Sequence, residues 1–184
     1  DYTYPGNQYS YYRWDDKGRV IEKVGLCCGT QSKLEYDIND NVIRMIDGNG
    51  NATDYTYDKV GNMLSLTDAL GNTERFTYEP VFNQVATYAD KNSNMYSFSY
   101  NGKGSLTDIS GPLGFSKRNT YNDKGWQLTE TDANNNVTVT TYNEDGTIST
   151  ITDAAGNKKS FTYDSYGNIL TATDARGNIT TYTY

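Results

Sequence analysis

Carboxylates are the most abundant side chains here that could do proton chemistry. The 184 residues hold 23 Asp and Glu and no His. Histidine triads and histidine general bases are therefore excluded. Carboxylate pairs could still act as acid and base, but these acids recur. Asp47, Asp68, Asp132, Asp153 and Asp174 each lie eleven places after a tyrosine, and Asp90 lies at twelve. A catalytic centre is normally unique, whereas these residues return once per unit. They read as turn residues, and no enzyme is expected.

Asp and Asn beside Gly are also the residue types of calcium loops. An EF-hand loop needs ligands on alternate residues, and the nine-residue calcium β-helix repeat needs adjacent glycines. The chain has neither pattern, so the acids are assigned to turn chemistry, and no metal or cofactor is expected. The two cysteines, Cys27 and Cys28, are neighbours. A disulfide between adjacent residues is strained, and two free thiols are preferred over a thiophilic metal site. The sequons at Asn51, Asn136 and Asn178 arise because Asn-x-Thr belongs to the repeat itself, so they carry little weight as glycosylation sites.

Charge narrows the partners. Lys and Arg number 16 against 23 acids, a net of −7. Neither nucleic acid nor an anionic membrane surface suits such a chain. No stretch approaches the roughly 18 apolar residues of a spanning helix, and residues 1–30 lack the layout of a signal peptide.

The elements that position these residues are set by a period. Tyr36, Tyr57, Tyr78, Tyr100, Tyr121, Tyr142, Tyr163 and Tyr184 follow one another at 21 residues, with a single gap of 22, and Trp14 extends the series upstream. A fixed period of this length means one supersecondary unit copied in tandem. An acid or amide follows each of the first seven tyrosines, from Asp37 to Asp164. Glycine comes four places on at Gly61, Gly104, Gly125, Gly146 and Gly167. Segments such as Tyr55-Thr56-Tyr57 and Phe161-Thr162-Tyr163 alternate aromatic and threonine, the pattern of a strand with one face turned inward. A second strand follows, with apolar residues such as Ile43 and Met45 or Leu64 and Leu66. Asp-x-x-Gly between the strands, and Asp-x-x-Gly-Asn after them, supply an acceptor for the backbone and a residue that tolerates positive φ. Each unit is a β-hairpin with two turns.

The units are uneven. Unit four carries Pro80 and one extra residue, and unit five replaces the closing motif by Gly111-Pro112-Leu113-Gly114. Residues 24–33 keep none of the usual turn chemistry, and Pro5, Pro80 and Pro112 all fall at turns. The apolar share, 35%, is low, so only a thin core spread along the array is expected. The domain organisation follows as one array over 1–184, with 1–33 a degenerate first unit and 34–184 regular.

The unit reads Tyr-Asp-x-x-Gly-Asn, an apolar strand, then Thr-Asp-x-x-Gly-Asn, most cleanly at 55–72 and 161–178. Over residues 12–184 it resembles the RHS/YD-repeat family. The resemblance implies an all-β fold of tandem β-hairpins of about 21 residues, forming a spirally curved, shell-like β-sheet. It implies a structural role in a secreted or surface protein of bacterial type, where the shell encloses or displays a toxic effector domain. The partners would be the rest of the same shell and that effector. Cleavage and toxin motifs of bacterial members are missing, so no cleavage residue carries over. Roughly sixteen strands at about 4.8 Å give a ribbon about 75 Å long, half of the circumference on the order of 140 Å needed around a 100-residue cargo. The chain is expected to be a wall segment.

Two alternatives stand beside this. Aromatic hairpin repeats also build glycan-binding and adhesion modules, although these are Trp-rich and here only Trp14 and Trp126 occur. The tyrosines read instead as an inward ladder stacked across strands. An unpaired edge at Tyr182-Thr183-Tyr184 would also invite another chain, giving a self-assembling filament.

Overall fold

The computed structural model describes residues 10–25 and 31–184. Pro5, Cys27 and Cys28 lie outside the described residues. Among the latter, seventeen strands and one short 3-10 turn account for the regular structure.

The chain divides into two compact units, residues 1–95 and 96–184. The first holds β1 (Ser10–Trp14), β2 (Val20–Gly25), β3 (Gln31–Tyr36), β4 (Val42–Ile46), β5 (Ala52–Tyr57), β6 (Met63–Thr67), β7 (Thr73–Tyr78) and β8 (Val85–Ala89). The second is formed by β9 (Met95–Tyr100), β10 (Leu106–Ser110), β11 (Ser116–Tyr121), β12 (Gln127–Thr131), β13 (Val137–Tyr142), β14 (Ile148–Thr152), β15 (Lys158–Tyr163), β16 (Ile169–Thr173) and β17 (Ile179–Thr181). Within each unit every strand pairs antiparallel with its neighbours in sequence. The contacts are thus almost all local, as a tandem hairpin array requires.

Alternation sorts the side chains. In β5 and β6, Tyr55 opposes Leu66 and Thr56 opposes Ser65. Opposed residues share a face, so aromatic and leucine lie on one side and the hydroxyls on the other. The hydroxyl pairs bond directly: Thr56–Ser65 at 2.6 Å, Thr120–Thr129 at 2.6 Å, Thr141–Thr150 at 2.7 Å and Thr162–Thr171 at 2.6 Å. A bulge recurs in each first hairpin beside the period residue, as between Thr56 and Tyr57 or Thr141 and Tyr142. Trp14 opposes Val20 across the same irregularity, so it holds the register of a period tyrosine.

The thin core is thinner than composition implied. Among the described residues no hydrophobic side chain is buried, and only Glu22 and Asn119 are, each 6% exposed. The reason is geometric: each hairpin is covered by its lateral neighbours, which shield flanks, and no second layer covers a face. Cross-strand pairs therefore carry the packing. Phe76 stacks on Tyr88 at 5.1 Å between ring centres, a contact worth up to about 1 kcal/mol.

The irregular units keep the register. The extra residue of unit four lies in the turn with Pro80, where the Glu79 N–H reaches the Gln84 carbonyl at 2.9 Å. In unit five the Gly111 N–H still closes on the Phe115 carbonyl at 2.8 Å. A side chain at Gly111 would come within 2.7 Å of the Tyr96 ring, so the aspartate of other units cannot be used there.

Candidate functional site: the tyrosine and aspartate rows

Seven period tyrosines spend their hydroxyls on the hairpin before their own. Tyr36 donates to the Val20 carbonyl at 2.7 Å, Tyr57 to Val42 at 2.9 Å, and Tyr78 to Met63 at 2.8 Å. In the second unit Tyr121 donates to Leu106 at 2.7 Å, Tyr142 to Gln127 at 2.8 Å, Tyr163 to Ile148 at 2.8 Å, and Tyr184 to Ile169 at 3.1 Å. Tyr100 occupies the same register, opposite Leu106. The acceptor is always special. Val42 is the residue that opposes Tyr36, and Met63 the one that opposes Tyr57. That carbonyl stands beside the bulge, and the next tyrosine bonds it. Within each unit the tyrosines thus form a series of links, O–H to carbonyl, from one repeat to the next. Burial raises the pKa of Tyr57, Tyr78 and Tyr163 above the usual phenol range, which keeps them donors.

The aspartates act within turns. In Asp47–Asn51, one carboxylate oxygen accepts from the N–H of Asn49 at 2.9 Å and of Asn51 at 2.8 Å, and the other accepts from Asn51 Nδ2 at 2.9 Å. Asp68, Asp132, Asp153 and Asp174 repeat this arrangement with Asn72, Asn136, Asn157 and Asn178. In all five, the partner asparagine's side chain is the first cause that holds the carboxyl below the usual range. The other turn of each unit, directly after the period tyrosine, is closed by a left-handed residue. Gly61, Gly125, Gly146 and Gly167 have φ of 94°, 85°, 92° and 85°, a region that suits glycine. Where the acid is Asn, as at Asn122, its Oδ1 still accepts from the N–H of Lys124 and Trp126 at 3.0 and 2.9 Å.

Other residues join neighbouring turns, and sequence reasoning missed them. Arg19 bonds Asp15 at 2.6 Å and lies 4.6 Å from the Tyr36 ring. Asn62 and Asn83 exchange amide bonds at 2.7 and 2.8 Å. Trp126 packs against Tyr142 at 5.3 Å and covers Gly146, while Lys124 lies 4.4 Å from its ring. A spacing of 20 or 21 residues between polar turn residues was the available signal, as for Asn62 and Asn83.

A cleft of about 400 Å³ opens beside Arg13, Arg19, Glu22, Lys33 and Tyr36. Two ion pairs line it, Arg13–Glu22 at 2.9 Å and Arg19–Asp15 at 2.6 Å. Among the described residues no group of three His, Cys, Asp or Glu could hold a metal ion. The recurring geometry instead serves inter-repeat linkage.

A single-layer sheet of tandem hairpins, linked through tyrosine and clamped at aspartate turns, defines a repeat scaffold. Residues 36–73 and 121–158 match the RHS Repeat family model. These two segments are RHS repeats. No curated protein matches the chain. Among solved structures, it aligns over 95% of its length with 10% of a chain in the crystal structure of TcdB2-TccC3 without hypervariable C-terminal region, with a TM-score of 0.80 at 16% identity. A Tc holotoxin pore of Photorhabdus luminescens, carrying a TccC3 mutation, gives 0.79 at 17% identity, with 95% of this chain and 10% of that one covered. A TcdB2-TccC3-Cdc42 crystal structure gives 0.79 at 16% over the same shares. At such identity the likeness shows the fold alone, an all-β array of tandem antiparallel hairpins. The chain spans about a tenth of these solved chains.

Proposed function

We propose that the chain is a non-enzymatic wall segment of a longer RHS/YD-repeat shell, which encapsulates or displays an effector domain of a secreted or surface protein. The observation that carries this is the tyrosine chain of links. Within each unit it ties hairpins to the ones before them, a repeated linkage that suits a wall and not a single active site. Likeness to about a tenth of chains in Tc toxin structures supports the same reading. The tyrosine hydroxyls already donate to backbone carbonyls, which favours the wall over a glycan-binding face.

The test is the intact mass of the native polypeptide from its source, by denaturing mass spectrometry. A mass several times the 20.6 kDa of this chain is expected. A mass near 20.6 kDa overturns the wall reading and leaves an adhesion module or self-assembling subunit.

A further inference from the structure

The closing turn of unit five lacks the residue that fastens its counterparts. Among the described turns every other one opens on an acid or an amide, from Asp15 to Asp174, whereas Gly111 opens this one. Two turns with equally exposed tips show the difference. Leu70 is 88% exposed and Tyr166 is 89% exposed. The N–H groups of Leu70 and Asn72 donate to Asp68 Oδ1 at 3.0 and 2.9 Å, and those of Tyr166 and Asn168 to Asp164 Oδ1 at 2.8 and 2.9 Å. Gly111 has no side chain to accept from Leu113 or Phe115, and the Tyr96 ring leaves no room for one. Two backbone bonds close the tip, from the Gly111 N–H to the Phe115 carbonyl at 2.8 Å and from the Phe115 N–H to the Pro112 carbonyl at 3.1 Å.

Leu113 adds strain to the missing clamp. Its φ of 56° is left-handed, a region that disfavours a bulky side chain, and that side chain is fully exposed. The other described non-glycine residues with positive φ are Asp40, Asn83, Ser93 and Asn135, all short and polar, and Asn and Asp tolerate the region best. Opening the tip at Leu113 relieves strain and breaks no side-chain clamp, so local opening costs less here than at Leu70 or Tyr166. An endopeptidase depends on such opening, and its rate follows the open population. It would meet Pro-Leu-Gly-Phe, two apolar side chains flanking a glycine. The flanking strands stay held together. β10 and β11 pair through Asp108–Arg118 and Ile109–Lys117, Arg118 bonds Asp108 at 3.0 Å, and Tyr121 donates to the Leu106 carbonyl at 2.7 Å. A cut at the tip therefore leaves both pieces in the sheet.

We propose that the tip from Pro112 to Phe115 is a cleavage site for an endopeptidase that selects apolar side chains. One water adds across the peptide bond and its C–N bond breaks, which at Leu113 leaves a carboxylate on Leu113 and an amine on Gly114. Limited digestion of the full chain with chymotrypsin, its cuts between residues 31 and 181 mapped by mass spectrometry, tests this. The first cut is expected after Leu113 or Phe115, at least about tenfold faster than after Leu70 or Tyr166. Tyrosine suits chymotrypsin better than leucine does, so only the fold can hold Tyr166 back. Asp68→Gly removes the clamp beside Leu70 and should speed the cut there about tenfold, with circular dichroism showing that the variant stays folded. A first cut after Leu70 or Tyr166, comparable rates at all these sites, or resistance throughout overturns the site. Simultaneous cutting along the whole chain means global unfolding and overturns it too. An unchanged rate after Leu70 in folded Asp68→Gly removes the clamp as the cause, and the proposal falls with it.

Discussion

The Tyr57 hydroxyl does one job, donating to the Val42 carbonyl at 2.9 Å. Tyr57→Phe keeps the ring and removes the donor. It should lower stability by about 0.5–1.5 kcal/mol, seen as a lower midpoint in urea unfolding, with the slope unchanged. The same groups set the response to pH at both ends. The turn carboxyls at Asp47, Asp132, Asp153 and Asp174 are held below the usual aspartate range. Their contribution is complete above about pH 4 and is lost as pH falls below it, because the unfolded chain then binds protons first. Tyr57, Tyr78 and Tyr163 are raised. Their contribution is complete below about pH 10 and is lost as pH rises through the raised values. Melting temperature against pH should show a plateau between these limits. A maximum confined to neutral pH would contradict the assignment.

At the scale of the turn, glycines that look equivalent in sequence differ in what they avoid. Gly125 has φ of 85° and open space around a would-be Cβ. Gly125→Ala should therefore cost only the backbone strain, about 1 kcal/mol. Gly146 has φ of 92°, and a Cβ there would meet the Trp126 ring at 2.8 Å. Gly146→Ala should cost about 2–3 kcal/mol, with strain and overpacking combined. Trp126→Leu should recover the packing part of the Gly146→Ala loss. Gly111 is a third case. Its φ of −155° is open to any residue, but the Tyr96 ring excludes a Cβ at 2.7 Å, so Tyr96→Leu should rescue Gly111→Ala almost fully. Melting curves of the single and double variants check all three.

For the molecule as a whole, linkage between neighbours makes the array divisible. Removing residues 1–33 takes the Val20 carbonyl from Tyr36 and leaves every link from Tyr57 onward in place. Residues 34–184 should fold, with β-sheet circular dichroism per residue unchanged. Loss of that signal would mean that the first unit nucleates the rest. Calcium should add nothing. Both carboxylate oxygens of Asp47, Asp132, Asp153 and Asp174 already accept N–H donors. Thermal melting with and without a chelator should coincide, and a shift of more than a few degrees would reveal a structural ion.

The local order of this protein is legible in its sequence because its physics is local. Tyr-Thr-Tyr alternation determines a strand, Asp47 and Gly50 determine a turn, and a 21-residue period determines that the unit repeats. The strand and turn decisions each involve residues within five places of one another, and the period only repeats them. Three matters were settled only in the tertiary structure. The tyrosine row was expected as a stack of rings, yet the links run from hydroxyl to a carbonyl fifteen or sixteen residues upstream. A backbone acceptor carries no side-chain signature, so no pattern of residues could point to it. Trp126 over Gly146 and Tyr96 against Gly111 likewise depend on which turn lies beside which strand. The thin core became no core among the described residues, since burial needs a covering layer, and hydrophobic alternation specifies a face but never what lies above it.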